Sequence, residues 1–250
     1  MKYIIISISL LLMSFQAKSQ FTVDAESGIA FNSSNEIRFP NDAESQADFV
    51  NIPEVFGTSQ SGFARLRASY TFKNKHTISG LYAPLKFFSF GKLNRPVQFG
   101  NNTYVPEEIT SVNYKFNSYR LTYRYRFVDR EKIRFGAGVT GKIRDARIAF
   151  SAEDKSDETT DLGFVPLINF NLQYFATDYL TFTLNGDALV GAQGRAEDIF
   201  AGVEYQFKVP VRAKLGYRIL EGGADIDQVY NFALVHYAAF GFIFNFSKQK

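Results

Sequence analysis

From about residue 21 onward, apolar residues recur at every second position of this chain. Ala64, Leu66, Ala68, Tyr70 and Phe72 alternate with Arg65, Arg67, Ser69 and Thr71. Tyr119, Leu121, Tyr123, Tyr125 and Phe127 alternate with Arg120, Thr122, Arg124 and Arg126. Ile199, Ala201, Val203, Tyr205 and Phe207 alternate with Phe200, Gly202, Glu204, Gln206 and Lys208. Successive side chains of a strand point to opposite faces, so each run has one apolar and one polar wall. No stretch after residue 20 carries the 3.6-residue period of a long amphipathic helix. The pattern predicts ten strands, at 21–33, 61–72, 76–88, 110–127, 132–149, 162–175, 179–190, 198–208, 212–220 and 229–246. Most have the length that a tilted membrane-crossing strand needs.

The connections alternate in length. Short ones fall at Lys73-Asn74-Lys75, Val128 to Glu131, Ala176-Thr177-Asp178 and Val209-Pro210-Val211. Longer ones fall at 34–60, 89–109, 151–161, 191–197 and 221–228. Short turns on one side and long loops on the other are the layout of an all-β, membrane-spanning, antiparallel up-and-down β-barrel. An even strand count puts both ends on the side of the short turns, the periplasm. Pro210 supports that count, because proline cannot donate to a central ladder and so marks a turn. Within 110–127 the apolar phase changes near Asn117: Val112, Tyr114 and Phe116 follow one phase and Tyr119 onward the other. A bulge there, or a strand rising above the membrane, accounts for the change.

Composition fits this picture. The mean hydropathy of −0.14 would be too low for a helical membrane protein, but a barrel needs apolar residues on one face only. Phe (27) and Tyr (14) are abundant and Trp is absent, and aromatics at strand ends suit interfacial girdles. Lys2, the short apolar stretch Tyr3 to Phe15 and Ala17-Lys18-Ser19 read as an export signal peptide cleaved before Gln20. The stretch is too short for a spanning anchor helix. That leaves residues 20–250 as one barrel domain. Without Lys2 and Lys18 the formal charge drops from +3 to +1, so nothing in the overall charge points to nucleic acid. With no cysteine there is neither a disulfide nor a lipid-anchored cysteine.

The chain end adds a specific feature. Phe240, Phe242, Phe244 and Phe246 alternate with Gly241, Ile243 and Asn245, followed by Ser247-Lys248-Gln249-Lys250. This resembles the terminal signal by which outer-membrane barrels are recognised for assembly, although the last aromatic is not terminal. Together with the signal peptide, the whole chain resembles Gram-negative outer-membrane β-barrels. The run Tyr114 to Phe127, with Tyr82-Ala83-Pro84-Leu85 upstream, resembles barrels of the Bacteroidota type, which bring no assigned activity. The resemblance implies a monomer in the cell outer membrane. Its partners would be outer-membrane lipid, lipopolysaccharide and the barrel assembly machinery, with no cofactor.

If the apolar phase faces lipid, the polar phase faces the lumen. Its cations are Arg65, Arg67, Arg120, Arg124, Arg126, Arg134, Lys142, Arg144, Lys208, Arg212, Lys214 and Arg218. Its acids are Asp24, Glu26, Asp187 and Glu204. Charges at membrane depth persist only inside the barrel, paired or wet. Two arrangements follow. Arg–carboxylate pairs can fill a narrow lumen and close it, or the surplus of cations can line a small anion-preferring pore. The loops have the opposite sign. Glu36, Asp42, Glu44, Asp48 and Glu54 sit in 34–60, and Glu153, Asp154, Asp157, Glu158 and Asp161 in 151–161. They are expected as solvated, mobile segments, or alternatively as bridges to divalent cations.

Motifs of catalysis find little support. Gly136-Ala-Gly138-Val-Thr-Gly141 matches a dinucleotide fingerprint, but that motif needs a strand turning into a helix, and here the alternation continues. Those glycines are expected to leave lumen space for the arginines of the neighbouring strand. His76 falls at a short turn. By phase, His236 faces lipid. Lipid A deacylases pair a barrel-wall histidine with a serine, but two residues after His236 stands Ala238. Asp225, Asp227 and His236 only loosely resemble the set used by ten-stranded omptin proteases. The expected function is a non-enzymatic outer-membrane barrel, structural or a narrow pore. Alternatives are a rim-located lipid A or peptide hydrolase, or a surface-binding protein presenting 34–60 and 89–109.

Overall fold

The computed structural model describes residues 20–191 and 194–247. The expected signal peptide, 1–19, lies outside the described residues. Ten long strands make the wall: β1 (Gln20–Arg38), β2 (Ser59–Phe72), β3 (His76–Ala83, resumed at Lys86–Lys92), β4 (Ile109–Asp129), β5 (Ile133–Ser151), β6 (Ser156–Phe175), β7 (Leu180–Gly191), β8 (Gly194–Gln206), β9 (Val211–Ile226) and β10 (Val229–Ser247). Each pairs antiparallel with the next. β10 pairs back onto β1 from Gln20↔Ser247 to Arg38↔Tyr230, which closes the barrel and leaves Gln20 and Ser247, the chain ends among the described residues, at one rim.

The alternation explains the wall. Leu66, Leu121, Val139, Phe164, Leu215 and Phe242 point outward, with Leu121 65% and Phe164 70% exposed. Side chains this apolar and this exposed, recurring around a closed sheet, form the lipid-facing band of a membrane barrel. Near the rim that carries Gln20 and Ser247, aromatic rings pack against one another, mostly edge to face. His76 and Tyr125 have centroids 5.0 Å apart, Tyr125 and Phe127 5.0 Å, Tyr205 and Phe207 5.2 Å, and Phe21 and Phe246 5.9 Å. His76 Nδ1 lies 2.9 Å from Tyr123 Oη within this girdle.

The four short turns lie where expected, at the rim with the chain ends. Pro210 sits in the last of them: its carbonyl accepts from Asn245 N at 2.9 Å. Lys208 belongs to this turn and is exposed, so it is not a lumen residue. The expected strand 198–208 stops at Gln206.

The opposite rim differs from expectation in three places. Residues 151–161 are not a loop, because β5 and β6 stay paired up to Ser151↔Ser156. Likewise β8 and β9 pair up to Gly194↔Ala224, and β9 and β10 up to Ile226↔Val229, so 191–197 and 221–228 are mostly strand. Backbone groups above the membrane satisfy each other by continuing the ladder. Nor is there a bulge near Asn117: β4 and β5 keep one register from Ser111↔Ser151 to Arg126↔Gly136, and the shift lies between Arg126 and Val128. Val112, Tyr114, Ser118, Arg120 and Thr122 are all buried on the same inward face. What changes at Asn117 is the chemistry of the lumen, apolar towards the loop rim and ionic below it.

The two remaining loops fold into that rim as a cap. Ile37, Val50, Ile52, Leu93, Val97, Phe99, Tyr104 and Phe150 form a buried apolar cluster. Phe99 stacks on Phe150 at 4.4 Å and meets Phe39 at 5.2 Å. Glu44, Glu54, Glu153 and Asp154 are exposed as expected, but other acids do local work. Asp48 pairs with Arg95 at 2.9 Å and accepts from Gln98 N at 2.8 Å. Asp157 accepts from Asn102 Nδ2 at 2.6 Å and thereby ties the short hairpin 97–104 to β6. Glu158 pairs with Arg147, and Asp161 with Arg144. Among the described residues no three acids or histidines converge as a metal-binding group.

Tyr104 anchors the cap. Its hydroxyl donates to the Phe150 carbonyl at 3.0 Å and accepts from Asp157 N at 3.0 Å. Burial, and then the nearby Asp157 carboxylate, push its ionisation up to about 12. A folded-state pKa raised above the unfolded value contributes stability that is whole below about pH 10 and lost as pH rises through 12. Limited proteolysis of the cap is therefore expected to rise between pH 10 and 12. Tyr104→Phe should remove that pH step; an unchanged step would place its origin elsewhere.

Candidate functional site: the ionic layer of the lumen

Midway along the barrel the inward phase of several strands carries charge at one level. β1 supplies Asp24 and Glu26, β2 Arg65, β4 Arg120, β7 Asp187, β8 Asp198, and β9 Lys214 and Arg218. Asp187 and Asp198 are direct cross-strand partners. Two carboxylates so placed repel. Arg120, four strands away from β8, crosses the lumen to both, 2.7 Å from Asp187 Oδ2 and 2.6 Å from Asp198 Oδ2. Arg65 reaches Asp198 Oδ2 at 2.9 Å, and Arg218 Nη1 reaches Asp198 Oδ1 at 2.5 Å. Arg218 also grips Glu26 with two parallel bonds, Nε to Oε1 at 2.8 Å and Nη2 to Oε2 at 2.9 Å. Lys214 bridges Glu26 at 2.7 Å and Asp24 at 2.6 Å.

Within this layer four cations meet four acids. Asp187 Oδ1 is filled as well, by Thr140 Oγ1 at 2.7 Å and Asn169 Nδ2 at 2.8 Å. Phe200 packs within the layer, with Lys214 and Arg218 over its ring at 5.3 and 5.2 Å. Buried pairs of this kind add little net stability against an apolar core, but losing one partner strands the rest.

The other expected lumen residues fall elsewhere. Arg212 pairs with Glu204 at 2.7 Å on the neck below the layer. Arg144 pairs with Asp161 above it. Arg126 and Arg134 share Asp129 at the turn rim, and Arg134 lies 4.6 Å over Phe175. Arg67 and Arg124 line a polar vestibule of about 340 Å³ that opens at the turn rim. Arg124 contacts Asn169 Oδ1 at 3.3 Å, and neither arginine has a carboxylate partner among the described residues. Lys142, 3% exposed, also has none; its Nζ sits 4.8 Å over the Phe116 ring.

Asp198, which takes three arginines, is absent from the residues singled out in the sequence. It stands in phase with Phe200 and Glu204 at the start of its segment, and extending the alternation by one step would have found it. The glycine-rich run lies inside β5. A side chain at Gly136 would meet the Tyr125 carbonyl oxygen at 2.9 Å and the Arg124 stem at 3.3 Å, so this glycine makes room for that strand and its arginine, whereas Gly141 lies on the outer face against Phe164 and leaves no lumen space. His236 faces outward against Tyr217, with ring centroids 5.8 Å apart. Asp225 is level with Tyr230, six residues from His236 along β10. At strand spacing that is about 20 Å, too far for general acid–base work between them.

No protein-family profile and no curated protein matches the sequence. Several solved outer-membrane barrels are similar in outline. The attachment invasion locus protein Ail of Yersinia pestis shares 10% identity at a TM-score of 0.39, over 90% of this chain and 99% of that one. Neisserial surface protein A shares 14% at 0.38, over 92% and 100%. The translocator domain of the autotransporter NalP from Neisseria meningitidis shares 10% at 0.37, over 96% and 94%. The barrel assignment rests on the closed strand pairing and the outward apolar band, independently of these likenesses.

Proposed function

We propose that this chain is a non-enzymatic, non-conducting outer-membrane barrel whose lumen is closed by its own ion pairs, and that it belongs with the Bacteroidota-type barrels that residues 114–127 resemble. The observation that carries the reading is the balanced layer. Glu26, Arg65, Arg120, Asp187, Asp198, Lys214 and Arg218 are each 7% exposed or less, in a lumen that an open pore would have to keep wet. The apolar cap above it adds a second barrier. Ions meeting such a layer would have to part charges that hold each other at hydrogen-bond distance.

The anion preference expected from the cation surplus then belongs to the turn-side vestibule, where Arg67 and Arg124 keep unneutralised charge. On this reading that vestibule is a dead end, so an anion enters and leaves by the same mouth. The folded loops suit a fixed surface better than flexible bait.

Planar-bilayer recording tests the closed lumen. The purified barrel should show no discrete steps across a wide voltage range. Regular steps with an anion-selective reversal potential would overturn the reading in favour of a pore.

A further inference from the structure

The barrel wall has a window. β6 and β7 pair from Phe175↔Thr181 only as far as Ile168↔Ala188. Beyond that point β6 runs on to Ser156 paired with β5, while β7 runs on to Gly191 paired with β8. Among the described residues the facing edges of β6 and β7 make no ladder above Ile168. Gln228 of the β9–β10 turn closes the top of the gap by donating to the Thr160 carbonyl at 3.3 Å. Pro166 stands on the free edge, a position where a missing backbone donor does no harm.

Behind the window lies a cavity of about 550 Å³, inside the ~300–1,000 Å³ range of small-molecule sites. Leu85, Tyr114, Phe116, Leu220, Ala233 and Val235 make it mostly apolar. Outside, Leu162, Phe164 and Ile168 are among the most exposed apolar side chains of the wall, so the window opens into the lipid-facing band. At the inner end stands Lys142. The charges around it are already matched: Arg120 to Asp187 and Asp198, Arg144 to Asp161. A buried ammonium left without a carboxylate is costly unless something else supplies the negative charge.

We propose that the window and cavity bind one long-chain carboxylate drawn from the lipid phase, its carboxylate on Lys142 Nζ and its chain lying out between β6 and β7. One unmatched cation calls for one negative charge. An interior bounded by a wall opening of this kind suits a single chain better than a two-chain lipid. The inference goes beyond the closed lumen and does not depend on it, since the cavity is reached from the side.

Because the chain has no tryptophan, a single Leu220→Trp reporter placed in the cavity of the full-length protein gives an unambiguous signal. A dibrominated stearate should quench it saturably. Lys142→Met should weaken that binding by about tenfold or more, the loss expected for one charge-assisted hydrogen bond. The methyl ester of the same brominated acid should bind the unmodified lysine no better than the acid binds Lys142→Met. Lys142→Gln serves equally if the methionine variant folds poorly. Quenching that is unsaturable, or identical for acid and ester, or unmoved by the lysine variants, would show mere partitioning and overturn the proposal, as would no quenching at all.

Discussion

Asp198→Ala is expected to cost about 3–5 kcal/mol, because it leaves buried charge uncompensated. The carboxylate lost is the one on which Arg65, Arg120 and Arg218 converge, at 2.9, 2.6 and 2.5 Å. Each keeps a further acid, Glu26 or Asp187, but the layer as a whole becomes one cation too rich. No backbone rearrangement supplies a replacement inside a closed wall. The check is the urea midpoint at which the heat-modifiable folded band disappears from a gel. Glu158→Ala gives the scale: its pair with Arg147 is exposed on both sides, and such pairs contribute ~0–1 kcal/mol. If the two variants shift the midpoint equally, the layer does not hold the lumen together.

Gly28→Ala is expected to act on closure itself. Gly28 sits on β1 opposite Ala239 of β10 and Phe63 of β2, where the first and last strands meet. Its φ of +147° is one that other residues rarely adopt. A β-carbon there would collide with the Ala238 carbonyl oxygen and crowd the Phe63 ring at 3.1 Å. Backbone strain alone accounts for ~1–3 kcal/mol, and the collision forces β1 and β10 apart at the seam. The expected result is a chain that stays in the unfolded band after refolding into detergent. A variant that folds with the wild-type yield would show that the seam can slide.

Much of this was legible in the sequence because a strand declares itself locally. Two-residue alternation located all ten strands, and Pro210 kept their number even by marking a turn. Non-local features were harder. Residues 34–60 look like an acidic loop, yet Ile37, Val50 and Ile52 are buried in them, against partners that lie more than forty residues away in the chain. The phase change near Asn117 looked like a kink because an inward apolar residue and an outward one are indistinguishable until the lumen's composition is known. Asp198 escaped notice at the first residue of the expected segment 198–208, whose strand starts earlier, at Gly194. The window could not be read at all, since it depends on β7 parting from β6 while each keeps another neighbour.

The ionic layer also bears on the order of assembly. β1 to β5 bring two of its acids and two of its bases, and β6 to β10 bring two of each. Among the ion-paired groups each half of the chain is therefore neutral, but most of the contacts run between halves: Arg65 to Asp198, Arg120 to both aspartates, Arg218 and Lys214 to Glu26. Half a barrel can keep these groups hydrated at little cost, and gains the network only when the two curved sheets meet. Desolvation and closure thus become one event, which leaves a half-built intermediate soluble on its inner face and gives it no reason to collapse early.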